Sequence, residues 1–179
     1  MNKSKKLPSE LKSKINKIKV LALDVDGVFT NGKIYLDYNG KEIKAFHSQD
    51  GLGIVLLREA GIQTAIISAR QSDAVSARAK ELKIDKVYQA AYPKDTAFEK
   101  LLKHFGVGEE EVCFVGDDLP DICLLRKVGL SVAVNNAVAE VKSVVDYVTS
   151  RFGGDGAIRE VAELILKVQN KWPYPINKD

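Results

Sequence analysis

The sequence predicts an α/β fold: a doubly wound, mostly parallel sheet with helices on both faces, a small β-hairpin insertion and no cap domain. Three observations predict it. Short apolar runs, typical of buried strands, alternate with segments of helical periodicity along nearly the whole chain. Asn39-Gly40 lies between two strand-like runs, which is a strong hairpin signal. The 179 residues are 45% hydrophobic and 28% charged, which is ordinary for one globular domain.

Each predicted strand is a short apolar run, and each predicted helix begins at a capping residue, a proline or a glycine turn. Val20–Leu23, for example, is four consecutive apolar residues, which suits a strand buried on both faces. Gly61 ends the first long helix, and Pro93 begins another. In chain order, the predicted elements are a short amphipathic helix within 1–19, a strand at 20–23, the hairpin at about 33–46, a helix at 50–60, a strand at 62–67, a helix at 72–82, a strand at 86–88, a helix at 93–105, a strand at 112–115, a helix ending at 127, a strand at 130–134, a helix at 137–144, a strand at 147–149 and a helix at 156–169.

Residues 20–170 are expected to form one domain, with a basic extension at 1–19 and a tail at 171–179. The extension carries seven lysines and one acid, with apolar residues at helical spacing and no interleaved aromatic residue. This favours a solvated amphipathic helix over a nucleic-acid contact. No apolar run reaches the roughly 18 residues of a membrane span, and no signal-peptide core is visible, so no membrane partner and a cytoplasmic location are expected. Cys113 and Cys123 are expected to be reduced.

Two acids follow the first strand directly. In a strand, the side-chain period of two would put Asp24 and Asp26 on the same side, and Gly27 lets the backbone turn away. Two carboxylates at the end of a buried strand are costly without compensation. A divalent cation would compensate this cost, because hard cations bind oxygen ligands. The pair taken alone equally fits two solvated acids in a loop.

Further polar residues follow the later strands. In an open parallel sheet, ligands bind beyond the carboxyl ends of the strands. The chemically capable residues at those ends are Asp24, Asp26, Ser68, Arg70, Lys94, Asp117, Asp118 and Asp121. Phosphoryl transfer needs a nucleophile, a cation that offsets its charge against the phosphate, and donors for the phosphoryl oxygens. This set supplies all three.

Several candidates also have a purely structural explanation. Asp118 could be the N-cap of the helix after it, and Asp121 could stabilise that helix's dipole. Lys94 could be a solvated first-turn residue. Arg78 lies in mid-helix, where a solvated face is at least as good an explanation, and His47 could be an ordinary loop histidine.

These pieces, in this order, resemble the motifs of the haloacid dehalogenase superfamily of phosphohydrolases. D-V-D-G at 24–27 is similar to the first motif, Ser68 to the hydroxyl of the second, Lys94 to the third, and G-D-D-L-P-D at 116–121 to the acidic fourth. Within the superfamily, three further stretches resemble the 3-deoxy-D-manno-octulosonate 8-phosphate (KDO 8-P) phosphatases, and the similarity extends from about residue 18 to 168. They are K-A-F-x-x-x-D-G-x-G-I at 44–54, I-I-S-A-R at 66–70 and G-G-x-G-A-x-R-E-V at 153–161.

The resemblance implies a three-layer, Rossmann-like fold and a Mg²⁺-dependent phosphomonoesterase. Its substrate would be KDO 8-P, hydrolysed to KDO and phosphate in lipopolysaccharide precursor synthesis. Asp24 would form an aspartyl-phosphate. Asp26 would protonate the leaving oxygen and then activate water, while Ser68 and Lys94 would hold the phosphoryl oxygens.

The same resemblance implies the ligands of the metal and of the substrate. Mg²⁺ would bind the Asp24 carboxylate, the Asp26 backbone carbonyl and Asp117, with Asp118 and Asp121 nearby. The substrate would contact Asp26, His47, Ser48, Gln49, Asp50, Gly51, Arg70, Arg78 and Lys94.

The chain departs from the family at three places. Ser68-Ala69-Arg70 stands where the family often has Thr-Gly-Arg, and the hydroxyl is kept. Val55 and Asp155 stand where some members carry an arginine and a basic residue. Both differences remove positive charge near the expected substrate. A nonulosonic acid 9-phosphate or another sugar phosphate is therefore the alternative substrate.

Only about 40 residues separate Asp26 from Ser68, and the hairpin and one helix use them, so no cap domain fits there. A lid that covers the active site must therefore come from elsewhere. We expect neighbouring subunits to supply it through the hairpin and the C-terminal tail, and the resemblance implies a homotetramer with shared active sites. Three other classes of protein fit the sequence less well. A signalling receiver places its accepting aspartate at the third strand, which here ends in Tyr88-Gln89. An inactive scaffold would not need the acids and the lysine, and a phosphomutase would need a cap.

Overall fold

A computed structural model of the chain describes residues 7–173. In chain order its helices and strands are α1 (Ser9–Lys17), β1 (Val20–Leu23), β2 (Tyr35–Leu36), β3 (Glu42–Ile43), α2 (Ser48–Glu59), β4 (Gln63–Ile67), α3 (Asp73–Leu82), β5 (Lys86–Tyr88), α4 (Asp95–Phe105), β6 (Val112–Gly116), α5 (Ile122–Leu125), β7 (Leu130–Ala133), α6 (Ala139–Lys142), β8 (Tyr147–Val148) and α7 (Ala157–Val168). Single 3₁₀ turns lie at Glu109–Glu111 and Leu119–Asp121. The lysine-rich start at 1–6 and the end of the tail at 174–179 lie outside the described residues.

The predicted sheet is confirmed. Six strands run parallel in the order β5-β4-β1-β6-β7-β8, and β2 and β3 form a separate antiparallel hairpin. β1 is central and fully buried, with Leu23 paired to Ile66 on one side and to Val115 on the other. After β5 the chain crosses back to the other side of β1. The strand order therefore reverses between β1 and β6, which places a crevice at their carboxyl ends.

Helices cover both faces of the sheet. α7 packs against α2 and α1, α2 also contacts α3, and α4 packs against α5. Right-handed crossovers require these two groups to lie on opposite faces. Among the largest fully buried side chains are Phe29, Phe98 and Phe114. Within the described part of the basic extension, Ile15 on α1 and Ile18 just after it are buried in this core.

Most predicted boundaries differ from the observed ones by a residue or two, and the differences around the hairpin, α2, α4 and α6 have structural consequences. The hairpin strands are two residues long, and α2 begins at Ser48 rather than residue 50. α4 begins at Asp95, whose carboxylate suits a first turn, and Lys94 stands at its N-cap position. The helix expected at 137–144 is only one turn, because the N–H of Val138 bonds to the Asp117 carbonyl and holds this residue in an extended conformation.

Within residues 7–173, the longest apolar helices are too short or too polar to cross a bilayer.

Candidate active site

A cavity of about 220 Å³ opens at the carboxyl ends of β1, β4 and β6. Every residue that the strand-end argument selected contributes to its wall. The lining residues are Asp24, Asp26, Ser68, Ala69, Arg70, Lys94, Asp117, Asp118, Pro120 and Asp121. Residues from four separate stretches of the chain thus meet at one edge of the sheet, beside the crevice that the strand order creates.

Lys94 is buried between two carboxylates. Its Nζ lies 2.6 Å from Asp24 Oδ1 and 2.5 Å from Asp121 Oδ1, and the lysine side chain is only 3% exposed. Burial alone would lower the pKa of Lys94, but the two carboxylates raise it above its usual value. The ammonium is therefore charged. The alternative of a solvated first-turn lysine does not hold.

Asp24 and Asp117 are acids that resist ionisation. Burial raises the pKa of Asp24 to about 6; Lys94 opposes this rise, and Asp121 adds to it. Burial also raises the pKa of Asp117 to about 8, with further contributions from the charges of Asp24 and Asp121. Too many negative charges share this edge for one lysine to balance them.

The acids suit a divalent cation. Asp24, Asp117 and Asp121 each offer one carboxylate oxygen, and these atoms lie within 4.8 Å of one another. Clustered carboxylate oxygens are the ligands that Mg²⁺ prefers, and the raised pKa values are those expected of a site built for positive charge. The donor set therefore fits a hard divalent cation.

The three later acids occupy different environments. Asp121 is 2% exposed, and its Oδ2 accepts the backbone N–H groups of Asp117 at 2.9 Å and Asp118 at 3.4 Å. It thus fixes the loop that carries Asp117. Asp118 is exposed, and its Oδ1 accepts the N–H of Leu119 at 2.8 Å, which is the N-cap arrangement.

Gly27 allows this close approach. Its φ is +94°, and a Cβ added there would lie 2.0 Å from Asp117 Oδ2. Only glycine combines this backbone conformation with the space that the carboxylate occupies. Gly153 packs from the other side, where an added Cβ would lie 1.6 Å from the Gly27 carbonyl oxygen.

Ser68 and Arg70 form the wall at the end of β4. Ser68 is 3% exposed, and its Oγ accepts the N–H of Arg70 at 3.3 Å, which leaves the hydroxyl proton free to be donated into the cavity. The Arg70 side chain is half exposed and reaches towards two acids. Its Nε lies 3.7 Å from Asp26 Oδ2, and its Nη2 lies 3.2 Å from Glu42 Oε1.

Glu42 and Lys44 were not among the predicted site residues. Lys44 extends from the hairpin with 1% of its side chain exposed, and its ammonium bonds to Asp26 Oδ1 and, at 2.8 Å, to Glu42 Oε1. Burial would lower the pKa of Lys44, but its hydrogen bonds to these carboxylates raise it. A signal was available in the sequence: positions 42 and 44 are two apart in the predicted hairpin strand, which would project both side chains from the same side.

The 47–51 segment and Arg78 do not line this cavity. Asp50 is fully buried, and its carboxylate accepts the N–H of Gly156 at 3.2 Å and of Arg159 at 2.8 Å at the start of α7. Burial raises the pKa of Asp50, and these donors oppose the rise. Asp50 therefore joins α2 to α7 within the chain.

Its neighbours face other parts of the surface. His47 Nε2 lies 3.8 Å from Asp155 Oδ1, and Gln49 lines a separate polar cavity beside α7. Arg78 pairs with Glu81 at 2.8 Å and lies so close to Gly51 that a Cβ there would be 2.3 Å from its Nη2. Substrate contact by these residues stays a prediction.

Comparison with known proteins gives a consistent result. Residues 86–160 match the profile of haloacid dehalogenase-like hydrolases. The chain is 41% identical over 161 residues to the 3-deoxy-D-manno-octulosonate 8-phosphate phosphatase KdsC of Haemophilus influenzae, which covers 90% of this chain and 89% of that protein. It is 44% identical over 159 residues to KdsC of Escherichia coli K12, which covers 89% of this chain and 85% of that protein.

Solved structures agree with the fold. The 3-deoxy-D-manno-octulosonate 8-phosphate phosphatase of Moraxella catarrhalis, in complex with magnesium, phosphate and KDO, superimposes with a TM-score of 0.89 at 43% identity, over 92% of this chain and 94% of that one. A putative haloacid dehalogenase superfamily (subfamily III A) hydrolase of Legionella pneumophila gives 0.89 at 47% identity, over 90% of this chain and 89% of that one. The likeness therefore covers about nine tenths of the molecule.

Proposed function

Because this chain belongs to the 3-deoxy-D-manno-octulosonate 8-phosphate phosphatases of the haloacid dehalogenase-like hydrolases, we propose that it is a Mg²⁺-dependent phosphatase that hydrolyses KDO 8-P to KDO and phosphate. One observation carries the proposal. Asp24 lies at the end of the central strand, paired with Lys94, in one cavity with Asp26, Ser68 and Asp117. This is the minimum set for phosphoryl transfer through a carboxylate.

In the first half of the reaction, a carboxylate oxygen of Asp24 attacks phosphorus. The bond from phosphorus to the sugar oxygen breaks, and the proton of the Asp26 carboxyl passes to that oxygen as it leaves. In the second half, Asp26 takes a proton from water, which attacks the aspartyl-phosphate and releases phosphate and Asp24. Lys94 and the Ser68 hydroxyl donate to the phosphoryl oxygens throughout.

Asp24, Asp117 and Asp121, with the backbone carbonyl of Asp26, would hold Mg²⁺. When bound, this cation offsets the repulsion between the anionic nucleophile and the phosphoryl group. Asp121 also orders the Asp117 loop, and Asp118 acts mainly as the N-cap of the turn that follows.

The substrate is a sugar acid, and KDO 8-P is the leading candidate because the named relatives act on it. A nonulosonic acid 9-phosphate is the alternative. Val55 is packed partly into the core, and the exposed Asp155 adds negative charge beside His47. Neither offers a cation to the carboxylate of a sugar acid.

Assembly is also part of the proposal: a homotetramer in which neighbouring subunits close one another's cavities. The hairpin presents exposed apolar side chains, with Leu36 at 63%, Tyr38 at 97% and Ile43 at 55% exposure. Contiguous exposed apolar side chains mark contact surfaces, and a two-stranded hairpin gains stability when it packs against something else. The 47–51 segment, which lies outside its own chain's cavity, would reach substrate only across such a contact. We place the reaction in the cytoplasm, in line with the free Cys113 and Cys123.

Phosphate release from KDO 8-P, nonulosonate 9-phosphates and simple hexose phosphates, with Mg²⁺ and with chelator, tests the function. Asp24→Asn should abolish Mg²⁺-dependent release, whereas the control Asp118→Asn, which alters an exposed capping residue in the same loop region, should keep most of it. Equal turnover by Asp24→Asn and the unaltered chain would rule out the covalent route. Preference for a nine-carbon acid would reassign the substrate and leave the chemistry in place.

Sedimentation velocity tests the assembly. The chain should sediment as a tetramer at micromolar concentration, and Ile43→Glu, which places a charge on the exposed side of the hairpin, should shift it to smaller species. A monomer at that concentration in the unaltered chain would contradict the shared site.

A further inference from the structure

We propose that Lys44, held by Glu42, positions the carboxyl group of Asp26 for proton transfer to the leaving oxygen. The inference rests on the proposed function and assigns to the hairpin a part in the chemistry itself. Lys44 does not touch the reacting atoms in this arrangement. It is a positioning residue, and its effect passes through Asp26.

The burial of Lys44 is the first observation. Its side chain is 1% exposed, although the hairpin around it is open and the neighbouring Ile43 is 55% exposed. Lysine is almost never fully buried unless it is paired, because removing an ammonium from water is costly. Both of its partners are acids, and one of them is Asp26. A charged pair in which the lysine side chain is covered fixes the carboxyl group more firmly than an exposed pair does.

The second observation is that each oxygen of Asp26 has its own cation. Oδ1 bonds to Lys44, and Oδ2 lies 3.7 Å from Arg70 Nε. Glu42 links the two cations, since its Oε1 accepts a hydrogen bond from Lys44 at 2.8 Å and another from Arg70 at 3.2 Å. Two acidic side chains thus face two cations. Arg70 is half exposed, so Lys44 is the better fixed of the two cations.

The third observation is that packing fixes Lys44 itself. Phe46, two residues after Lys44, contacts the buried Phe29 with ring centroids 5.0 Å apart. Phe29 follows Asp26 by three residues in the turn after β1. The hairpin is therefore anchored to the same loop that carries Asp26, and Lys44 lies between that anchor and Glu42.

The nucleophile has a separate support. Asp24 is held by Lys94, and none of the hydrogen bonds among residues 7–173 joins Lys94 to Asp26. Altering Lys44 should therefore disturb proton transfer and leave nucleophilic attack nearly intact. Leaving groups distinguish these two effects, because a sugar alkoxide needs a proton as it departs and p-nitrophenolate does not.

The test compares kcat/KM, which reports the steps up to cleavage of the bond to the leaving oxygen, for three phosphates: KDO 8-P, a hexose phosphate without a carboxylate, and p-nitrophenyl phosphate. A misplaced catalytic group costs on the order of 10²-fold. We expect Lys44→Met to lower kcat/KM about 30- to 100-fold for both sugar phosphates and less than about 3-fold for p-nitrophenyl phosphate. Lys41→Met, an exposed lysine on the same hairpin, is the matched control and should change none of the three.

Two further variants keep the test decisive if Lys44→Met folds poorly. Glu42→Gln should show the same dependence on the leaving group with a smaller loss. Adding Lys44→Met to Asp26→Asn should cause little further loss, since both changes remove one function.

The opposing outcomes are distinct. An equal loss for all three phosphates would overturn the inference in favour of a merely structural role. A loss confined to KDO 8-P would overturn it in favour of direct contact with the substrate carboxylate. If the unaltered chain releases phosphate from none of the three with Mg²⁺, the proposed function fails, independently of any variant.

Discussion

Lys94→Met removes the ammonium between Asp24 and Asp121. The two nitrogen–oxygen distances are 2.6 and 2.5 Å, and the acid side chains are 11% and 2% exposed. Methionine keeps most of the apolar stem, so the main change is the loss of the charge. Removing one partner of a buried ion pair costs about 3–5 kcal/mol of unfolding free energy, because the other charge is left buried. For a chain of this length that corresponds to a fall in Tm of roughly 6–20 °C.

Thermal unfolding followed by circular dichroism in chelator measures this fall. Lys127→Met is the matched control, since Lys127 lies 2.5 Å from Asp95 in a pair whose side chains are 43% and 34% exposed. Because this second ion pair is similarly short but exposed, the Tm of Lys127→Met should differ from that of the unaltered chain by less than about 3 °C. The fall in Tm caused by Lys94→Met should be smaller at pH 5 than at pH 8, because burial raises the pKa of Asp24 to about 6 and protonation of this carboxyl relieves the stranded charge. A fall in Tm as small as that of the control would refute the reasoning.

Three further predictions concern the acids and the glycine contact. Asp117→Asn should raise Tm in chelator by about 2–8 °C, because burial raises the pKa of Asp117 to about 8 and the ionised form of this carboxyl opposes folding. The same variant should lose the increase in Tm that Mg²⁺ causes in the unaltered chain, and an unchanged response to Mg²⁺ would contradict the assignment of Asp117 as a ligand. The affinity for Mg²⁺, measured by calorimetry, should fall about 10- to 100-fold from pH 8 to pH 6, because protons compete with the cation for Asp117 and for Asp24, whose pKa is about 6. An affinity that does not depend on pH would count against these two ligands. Gly153→Ala should lower the free energy of unfolding by more than about 2 kcal/mol, because the added Cβ would overlap the Gly27 carbonyl. The control Gly61→Ala, where φ is +78° and the space around the residue is open, should lower it by only about 1–2 kcal/mol. Similar denaturation midpoints for the two variants would contradict the steric argument.

The sequence predicted those parts of the fold that local pattern determines. Alternating apolar runs and helical segments are enough to specify a doubly wound sheet, and its topology then brings the strand ends together. Asp24, Ser68 and Asp117 could be found because each directly follows a buried strand. The strand-end argument also selected Lys94, but only the resemblance favoured a catalytic role for it, since nothing local distinguishes a buried first-turn lysine from a solvated one.

What remained hidden depends on contacts between distant residues. Lys44 bonds to Asp26 in a part of the hairpin where Phe46 packs against Phe29, and no local pattern reports that packing. No local pattern indicates that the Asp50 carboxylate holds the start of α7, over a hundred residues further along the chain. Helix ends were misjudged where a long-range backbone bond, such as that of Val138, overrides propensity.

The central position of β1 has a consequence for synthesis of the chain. β1 is the first strand to leave the ribosome, yet one of its two neighbours, β6, begins only at Val112. At about 5–20 residues per second, the apolar strand waits roughly 5–20 s for the partner that covers its second edge. During that interval four apolar residues at an open edge are available to other nascent chains or to a chaperone. A ribosome pause between β4 and β6 should therefore reduce the yield of folded protein more than a pause of equal length after β6.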